Sequence, residues 1–196
     1  MEEIFQGIYK KGNELYTKGK NLELWNPFTS KPAAAIFKGL KNFPIKRGMK
    51  VLYLGAAHGV TAWHFSNLVG NGIIYCVEFS SKIVSKLLEK AKKKKNIIPI
   101  LEDARFPENY GWVGGVDLIY EDIAQRDQIE ILKRNLIFLD KGYFILALKA
   151  KAIDSIRDVE EIYKEIIDNL NKNYEILETI KLEPYERDHL FIVGKK

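Results

Sequence analysis

The sequence predicts an α/β fold built around a mostly parallel sheet of seven strands, and three observations support this class. Short apolar runs alternate along the chain with longer segments of helical periodicity, which is the order of a parallel sheet with helical crossovers. Residues 50–81 contain a buried strand, a glycine turn, a helix and a second strand, which together form a βαβ unit. Two apolar runs near the end of the chain are joined by a short loop, which indicates one antiparallel strand at an edge of the sheet.

Length, charge and cysteine content narrow the class of protein. A chain of 196 residues is most economically one domain with a sizeable core. The single cysteine, Cys76, lies in a predicted strand, so a disulfide framework is excluded and a reducing, cytoplasmic location is expected. The sequence has neither a signal-peptide pattern nor an apolar run that could span a bilayer. The net charge of +5 permits contact with nucleic acid, although the dense run at residues 92–95 is better interpreted as a solvated helix end.

The N-terminal segment predicts a small extension that precedes the main domain. Residues 3–19 indicate a β-hairpin around Lys11-Gly12-Asn13, which is too short to be stable alone and should pack on the rest of the chain. Ser30 is a candidate N-cap for a helix whose apolar residues recur with helical spacing up to Leu40. We therefore divide the chain into an extension, residues 1–30, and a main domain, residues 31–196.

The later elements alternate in the order expected for crossover connections. Strands are predicted at about 51–54, 97–101, 116–120, 143–148, 174–182 and 189–194, with a further strand that ends at Glu78. Helices are predicted after Glu78, from about Ile129 to Leu139, and from about Val159 to Leu170, each from apolar residues that recur on one side.

The glycine turn of the βαβ unit is the strongest indication of a ligand site. Its acidic residue, Glu78, lies 23 positions after Gly55, at the end of the second strand, where a carboxylate can accept hydrogen bonds from ribose hydroxyls. The NAD fingerprint is absent because Ala57 and Val60 occupy positions where it requires glycine, and no phosphate-binding G-K-[ST] motif occurs. A G-x-x-x-G turn (Gly55 to Gly59) with an acid at the end of the second strand is typical of S-adenosylmethionine sites. A tight strand–helix connection without a ligand would also fit this pattern.

Polar residues follow several predicted parallel strands at their carboxyl ends. Gly55, Glu78, Asp103, Asp122 and Lys149 each stand there, so the topology should bring them to one edge of the sheet. A lysine beside an aspartate could hold a substrate hydroxyl between them. Since a free lysine has a pKa of ~10.4, a lysine base requires burial or a neighbouring cation.

Six segments together resemble the fibrillarin family: Gly55-Ala56-Ala57, residues 75–80, residues 96–100, residues 102–105, Asp122-Ile123-Ala124-Gln125 and residues 183–189. Trp25-Asn26-Pro27 and Ser30-Lys31 match in the same order, so the resemblance covers about residues 20–196. It implies a Rossmann-like class I S-adenosylmethionine-dependent methyltransferase domain that methylates ribose 2′-hydroxyls in rRNA and tRNA. The chain has no Gly/Arg-rich tail, which is typical of the archaeal, cytoplasmic form.

The resemblance also implies roles for individual residues. The implied catalytic set is Lys31, Asp122, Lys149 and His189, with no metal. The implied cofactor-binding set is Gly55, Ala57, Thr61, Glu78, Phe79, Asp103, Ala104, Asp122 and Gln125. In this interpretation Lys149 is the base, Lys31 is close enough to favour its neutral form, and Asp122 and His189 orient the reacting groups. His58 and Arg126 depart from the family pattern, where a small serine and a proline are usual.

The resemblance implies partners as well. A box C/D guide RNA, a Nop-type scaffold protein and a kink-turn-binding ribosomal-type protein would deliver the target RNA, and no membrane is involved. Two other classes remain open at this point: a methyltransferase that acts alone on a small molecule or protein, and a non-catalytic RNP subunit. Turnover without RNA would identify the first, and the complete Lys/Asp/Lys/His set argues against the second.

Overall fold

The computed structural model describes residues 1–196, which form a central seven-stranded sheet with helices on both faces and a separate four-stranded N-terminal sheet. The N-terminal strands are β1 (Glu2–Phe5), β2 (Ile8–Lys11), β3 (Glu14–Lys18) and β4 (Leu22–Leu24). The central strands are β5 (Lys50–Leu54), β6 (Ile73–Glu78), β7 (Ile97–Leu101), β8 (Leu118–Glu121), β9 (Tyr143–Lys149), β10 (Glu175–Lys181) and β11 (His189–Lys195). The helices are α1 (Lys31–Phe37), α2 (Val60–Val69), α3 (Ser81–Lys93), α4 (Gln128–Asn135), α5 (Ala150–Ile153) and α6 (Val159–Asn171), with 3₁₀ turns at Pro107–Val113 and Leu136–Phe138.

The strand order of the central sheet is β10-β11-β9-β8-β5-β6-β7. Strands β5 to β9 pair in parallel, whereas β11 runs antiparallel to both β9 and β10. The predicted fold class is therefore confirmed, and the reversed strand belongs to the closing hairpin at one edge, with β10 outermost. This reversal brings the start of β11 to the edge at which the parallel strands end.

The inner strands are apolar over most of their length because both faces of the sheet are covered. Residues 51–54 of β5 and residues 144–148 of β9 are all buried. One face packs against α1, α2, α3 and the N-terminal sheet, and the other packs against α4 and α6.

The N-terminal segment differs from the predicted hairpin. Strands β2 and β3 form that hairpin, but β1 and β4 extend it to an antiparallel sheet of four strands. The additional strand β1 arises because the chain reverses at Gln6-Gly7, where Gly7 has a φ of 75° that glycine adopts without strain. The predicted hairpin over residues 3–19 did not include this reversal.

The small sheet packs on α2, as expected of a piece that cannot be stable alone. His64 of α2 is buried, its Nδ1 lies 2.8 Å from Thr17 Oγ1, and its ring stacks on Trp25 at 5.2 Å. Burial lowers the pKa of His64 to about 4, so the imidazole is neutral at pH 7. His64 is therefore a packing residue between α2 and the N-terminal segment. No helix of the structure is long and apolar enough to cross a bilayer.

Candidate active site at the carboxyl edge of the sheet

The ends of β5, β6, β7 and β8 surround one cleft of about 230 Å³. Its walls are Gly55, Ala57, Val77, Glu78, Phe79, Ile83, Glu102, Asp103, Ala104, Arg105, Asp122, Ile123, Ala124, Gln125 and Ile131. Eight of the nine predicted cofactor residues are among them. The topology thus brings together motifs that lie far apart in the sequence, because parallel strands end at the same edge.

The glycine turn after β5 is shaped by the neighbouring strand end. Gly55 has a φ of 78°, and a Cβ at this position would lie 2.7 Å from the carbonyl oxygen of Asp122 and 2.7 Å from Ile123 Cγ1. Glycine is therefore required by the backbone of the β8 turn, and not only by a ligand. The next turn residue, Ala57, also has a positive φ of 46°, and its backbone N–H points to Glu78.

Glu78 is fixed at the end of β6 by two backbone hydrogen bonds. Its Oε2 accepts the N–H of Ala57 at 2.9 Å and its Oε1 accepts the N–H of Ser80 at 2.9 Å. The residue is 5% exposed, so the carboxylate is held in one orientation at the cleft wall. Each oxygen keeps a further lone pair, which makes Glu78 suited to accept hydroxyl hydrogen bonds.

The opposite wall of the cleft is held by Arg105, which the sequence reasoning placed in a motif but not in the site. Its Nε and Nη2 donate to the two oxygens of Asp127 at 2.8 and 3.0 Å, and its Nη1 donates to Asp103 Oδ2 at 3.2 Å. Nη2 also reaches Gln125 Oε1 at 3.3 Å. The Arg105 guanidinium holds the pKa of Asp127 below its ordinary value. Arg105 therefore ties the loop after β7 to the loop after β8.

Phe79 and Ala104 complete the predicted cofactor set within the cleft. Phe79 is 68% exposed at the lip, which is unusual for a large apolar side chain that serves only packing. Ala104 is buried at the wall. An exposed aromatic ring beside two carboxylates offers a flat apolar surface to a purine.

Thr61 is the one predicted cofactor residue that does not line the cleft. It is 4% exposed in the first turn of α2, and its Oγ1 lies 2.9 Å from Ser30 Oγ. Ser30 in turn accepts a 2.8 Å hydrogen bond from Trp25 Nε1 and makes no side-chain bond to the helix that it precedes. This chain of hydrogen bonds ties the start of α1 to the start of α2. In the structure Thr61 thus supports the position of Lys31, and Ser30 uses its hydroxyl for this link instead of capping α1.

Lys31 and Asp122 form an ion pair of 2.8 Å between Nζ and Oδ1. Their side chains are 18% and 20% exposed, so the pair is largely screened from water. Lys31 is the first residue of α1, where the helix dipole disfavours a cation, and the contact with Asp122 compensates for this. The sequence reasoning expected Lys31 to act on Lys149, whereas the contact that the structure gives it is with Asp122.

Lys149 and His189 are opposite one another in the antiparallel pairing of β9 and β11. No carboxylate lies within 4.0 Å of Lys149 Nζ, which distinguishes it from Lys31. His189 is 5% exposed, and its Nδ1 lies 2.7 Å from the carbonyl oxygen of Arg187. Burial, together with the charge of Lys31, lowers the pKa of His189, so its imidazole is neutral at pH 7.

The tautomer of His189 follows from its partner. A carbonyl oxygen can only accept a hydrogen bond, so Nδ1 must carry the proton. In the neutral ring Nε2 then has no proton and acts as an acceptor.

Two buried residues beside the predicted catalytic set were not identified from the sequence. The amide of Gln128 accepts the Lys149 N–H at 3.0 Å and donates to the Lys149 carbonyl at 3.1 Å, so it fixes the end of β9. Glu121 is fully buried next to Asp122, and neither of its oxygens has a hydrogen-bond partner. Burial raises the pKa of Glu121 well above its ordinary value. Its place as the last strand residue before Asp122 was the only available signal.

The two departures from the family pattern do not line the cleft. His58 and Arg126 are both exposed. A larger side chain at either position is therefore accommodated without filling the cleft.

Comparisons with known proteins show which family this chain resembles. A sequence model of the fibrillarin family matches residues 6–196. The fibrillarin-like rRNA/tRNA 2′-O-methyltransferase of Saccharolobus islandicus is 46% identical over 183 residues, which cover 91% of this chain and 79% of that protein. A fibrillarin/Nop5p complex contains a chain that is 41% identical, with a TM-score of 0.93 and coverage of 96% and 97%. Aeropyrum pernix fibrillarin with natively bound S-adenosyl-L-methionine is 39% identical, with a TM-score of 0.80 and coverage of 99% and 84%.

Proposed function

The chain belongs to the fibrillarin family, and we propose that it acts through Lys31, Asp122, Lys149 and His189 as its catalytic set. It is an S-adenosylmethionine-dependent enzyme that methylates ribose 2′-hydroxyls of RNA. One observation supports the assignment of the four residues above all others. The 2.8 Å ion pair of Lys31 with Asp122 joins the cofactor cleft to the edge where Lys149 and His189 pair.

The residues of the cleft suit S-adenosylmethionine. Glu78 presents free lone pairs for a ribose diol, Asp103 can accept from an adenine amino group, and the exposed ring of Phe79 can cover the base. The carboxylate of Asp122 favours a cation in the cleft. When bound, the cofactor supplies a methyl group that is activated by the positive sulfonium sulfur.

The catalytic set must align the target hydroxyl and remove its proton. Lys149 is the group that we assign as base, since no carboxylate holds its ammonium and its backbone is fixed by Gln128. General-base assistance of this kind typically contributes ~10²–10⁴-fold to the rate. His189, with Nε2 as an acceptor, can orient either the Lys149 ammonium or the incoming hydroxyl.

Lys31 and Asp122 contribute position and charge. Their ion pair fixes the start of α1 against the end of β8, so that a ribose entering from this side meets a defined wall. Holding reactants in this way can contribute up to ~7–11 kcal/mol to a rate.

The chain acts on RNA and assembles with a Nop-type scaffold protein. We further propose that a box C/D guide RNA and a kink-turn-binding protein complete the assembly. A net charge of +5 supports this dependence, because few neutralised phosphates give weak binding at physiological salt.

Site-mapped methylation with each component omitted in turn tests the function. We expect the isolated chain to bind S-adenosylmethionine but to methylate naked RNA negligibly, and the full assembly to methylate the ribose that the guide specifies. Efficient methylation of the same site by the chain alone would contradict the need for partners. Methylation of a small molecule in preference to RNA would contradict the assignment of the substrate.

A further inference from the structure

A strongly basic groove lies at the amino edge of the central sheet, at the opposite end of the strands from the proposed active site. It has a volume of about 430 Å³, and no apolar or acidic side chain lines it. Its lining, hereafter the basic groove, comprises Lys18, Gly19, Lys20, Arg47, Ser66, Asn67, Gly70, Lys93, Lys94, Lys95 and Asn96. Six cations from three separate segments of the chain therefore face one depression.

Most of these cations are not used to stabilise the fold. Lys94 is committed, since its Nζ contacts Asn67 Oδ1, lies 3.8 Å from Glu23 Oε1 and stands 4.6 Å above the ring of Trp63. The side chains of Lys20, Arg47, Lys93 and Lys95 have no carboxylate within 4.0 Å. Lys18 lies 6.0 Å from the ring centre of Tyr9 and has no ion pair. Their charges remain available to an anionic partner.

The floor of the basic groove is rigid. Ser66 Oγ donates to Asn96 Oδ1 at 2.7 Å, and Asn96 Nδ2 donates to the carbonyl oxygens of Ser66 and Gly70 at 3.0 and 2.9 Å. The turn that carries Lys18 and Lys20 packs directly on α2, since a Cβ at Gly19 would lie 2.2 Å from Asn67 Oδ1. The cations are thus held on a preformed base.

Compensation of helix dipoles explains only part of this charge. Lys90, Lys92 and Lys93 lie in the last turn of α3, where cations are favoured. Lys20 and Arg47 belong to neither α2 nor α3, and they approach the same depression from other segments. The convergence therefore exceeds what two helix ends require.

A row of cations connects the basic groove with the cleft. Lys82, Lys86 and Lys90 recur every fourth residue from the start of α3, so they follow one side of the helix over ~12 Å. Lys86, Lys90 and Lys93 also line a second depression between α2 and α3, which shares Lys93 with the basic groove. Helix α3 begins just after Phe79 at the lip of the cleft.

We propose that the basic groove and this lysine row bind the sugar–phosphate backbone of the RNA strand that carries the target ribose, at a distance from that ribose. The inference rests on the proposed function. A row of cations continuous with the cleft favours the target strand, because that strand must pass the lip when its ribose is placed for reaction. Lysine and arginine contacts with phosphates position a strand without reading its sequence, which suits an enzyme whose target is specified elsewhere.

Salt-dependent binding of the isolated chain to a labelled single-stranded RNA tests the surface without methyl transfer. The test variant combines Lys20→Gln, Lys93→Gln and Lys95→Gln. The control combines Lys141→Gln, Lys164→Gln and Lys172→Gln, which are exposed and lie outside the groove. Both lower the net charge from +5 to +2 (5 − 3 = 2). The slope of log affinity against log salt should become shallower by about 2 in the test variant, because three phosphate contacts are lost at ~0.7 each. In the control variant the slope should change much less.

Equal loss of slope in both variants would overturn the proposal, since the effect would then be one of net charge alone. Thermal unfolding of both variants shows whether either has lost its fold. If the test variant unfolds early, the single substitution Lys20→Gln, outside both helices, replaces it with an expected loss of roughly 0.7 in slope.

A second arm identifies the RNA strand. In the full assembly, the test variant should raise the KM for target RNA roughly tenfold, with the rate at saturating target and the affinity for the guide complex unchanged. Weaker assembly with the guide complex at an unchanged KM would overturn the assignment to the target strand. If RNA binds through the groove but no assembly transfers a methyl group, the proposed function is contradicted and RNA binding by the groove is supported. If active assemblies with the test and control variants have the same KM for target RNA, the role of the groove is contradicted and the proposed function is supported.

Discussion

The carboxyl edge of the central sheet has two halves that are built in different ways. The cofactor cleft is formed by backbone turns that follow β5 to β8, and its walls are fixed by local hydrogen bonds such as those of Glu78 with Ala57 and Ser80. The proposed catalytic set is formed by side chains from α1, β9, β11 and the loop after β8, which meet only when the whole sheet is assembled.

Because they are built differently, the two halves should control different properties of the enzyme. A cleft fixed by its own backbone should set the affinity for the cofactor, whereas the long-range contacts of Lys31, Lys149 and His189 should set the rate. Asp122 belongs to both halves, since it lines the cleft and pairs with Lys31. The following substitutions separate the two halves, beginning with the residue that they share.

Asp122→Asn should have the largest effect, because it removes a charge from the cleft and leaves the Lys31 ammonium without its partner. We expect the rate of methyl transfer to fall by ~10²-fold or more, which is the size of the loss when general-base assistance is removed. We expect cofactor affinity to fall by at least about tenfold. Single-turnover kinetics and calorimetry measure the two effects, with Asp140→Asn, which is exposed, as the matched control. A change in only one of the two quantities would show that Asp122 does not join the halves.

Glu78→Gln should affect the cofactor half alone. The substitution replaces a charged acceptor by an amide, so cofactor binding should weaken by ~1–3 kcal/mol. The rate at saturating cofactor should remain close to that of the unsubstituted chain. Calorimetric titration checks the affinity, with Glu89→Gln on the exposed side of α3 as the control. Unchanged affinity in the Glu78 variant would remove this residue from the site.

The catalytic half should respond to acid through His189. Because burial lowers its pKa below the ordinary 6.5, the folded chain resists protonation of His189 and the unfolded chain does not. Its contribution to the free energy of unfolding is thus complete above pH 6.5 and is lost as the pH falls below that value. Methyl transfer should fall in the same direction, since a protonated imidazole places a second cation near Lys31.

The variant His189→Gln isolates this effect, because His64, whose pKa is about 4, contributes to acid sensitivity in both proteins. Chemical denaturation at several pH values should show a shallower loss of stability in the variant between pH 6.5 and the acid limit of folding. Identical pH profiles for the two proteins would contradict the neutral, buried state of His189.

Arg105→Gln should have the smallest effect. Its ion pairs are about one-third exposed, and pairs of this kind contribute ~0–1 kcal/mol. We therefore expect cofactor affinity to fall no more than about fivefold, with an unchanged rate at saturation. A larger loss in the calorimetric titration would show that Arg105 contacts the cofactor directly instead of only joining two loops.

The sequence was enough to bring the proposed cofactor residues together, because each of them follows a strand closely. Gly55, Glu78, Asp103 and Asp122 could be placed at one edge from strand order alone, since parallel strands end together. The sequence pattern predicted the closing hairpin, but the pairing of His189 with Lys149 across that reversed strand is seen only in the structure.

The remaining features depend on side-chain geometry that no local pattern encodes. Three contacts join segments that are distant in the sequence: the ion pair of Lys31 with Asp122, the hydrogen bonds of Arg105 with Asp127, and those of Gln128 with the backbone of Lys149. Thr61 was assigned to the cofactor by its motif, yet its hydroxyl faces Ser30. The basic run at residues 92–95 was interpreted from its own residues as a solvated helix end. The other cations of the groove come from distant segments, so the run alone does not indicate them.

The separation of affinity from rate is tested most directly by Lys149→Ala, with both quantities measured on one preparation. Lys141→Ala, an exposed lysine just before the other end of β9, is the control. In the full assembly, the Lys149 variant should bind S-adenosylmethionine as tightly as the unsubstituted chain, while its single-turnover rate at the guided ribose falls by ~10²-fold or more. A loss of less than tenfold, or a parallel loss of cofactor affinity, would contradict the assignment of Lys149 as the base and the division of the site into two halves.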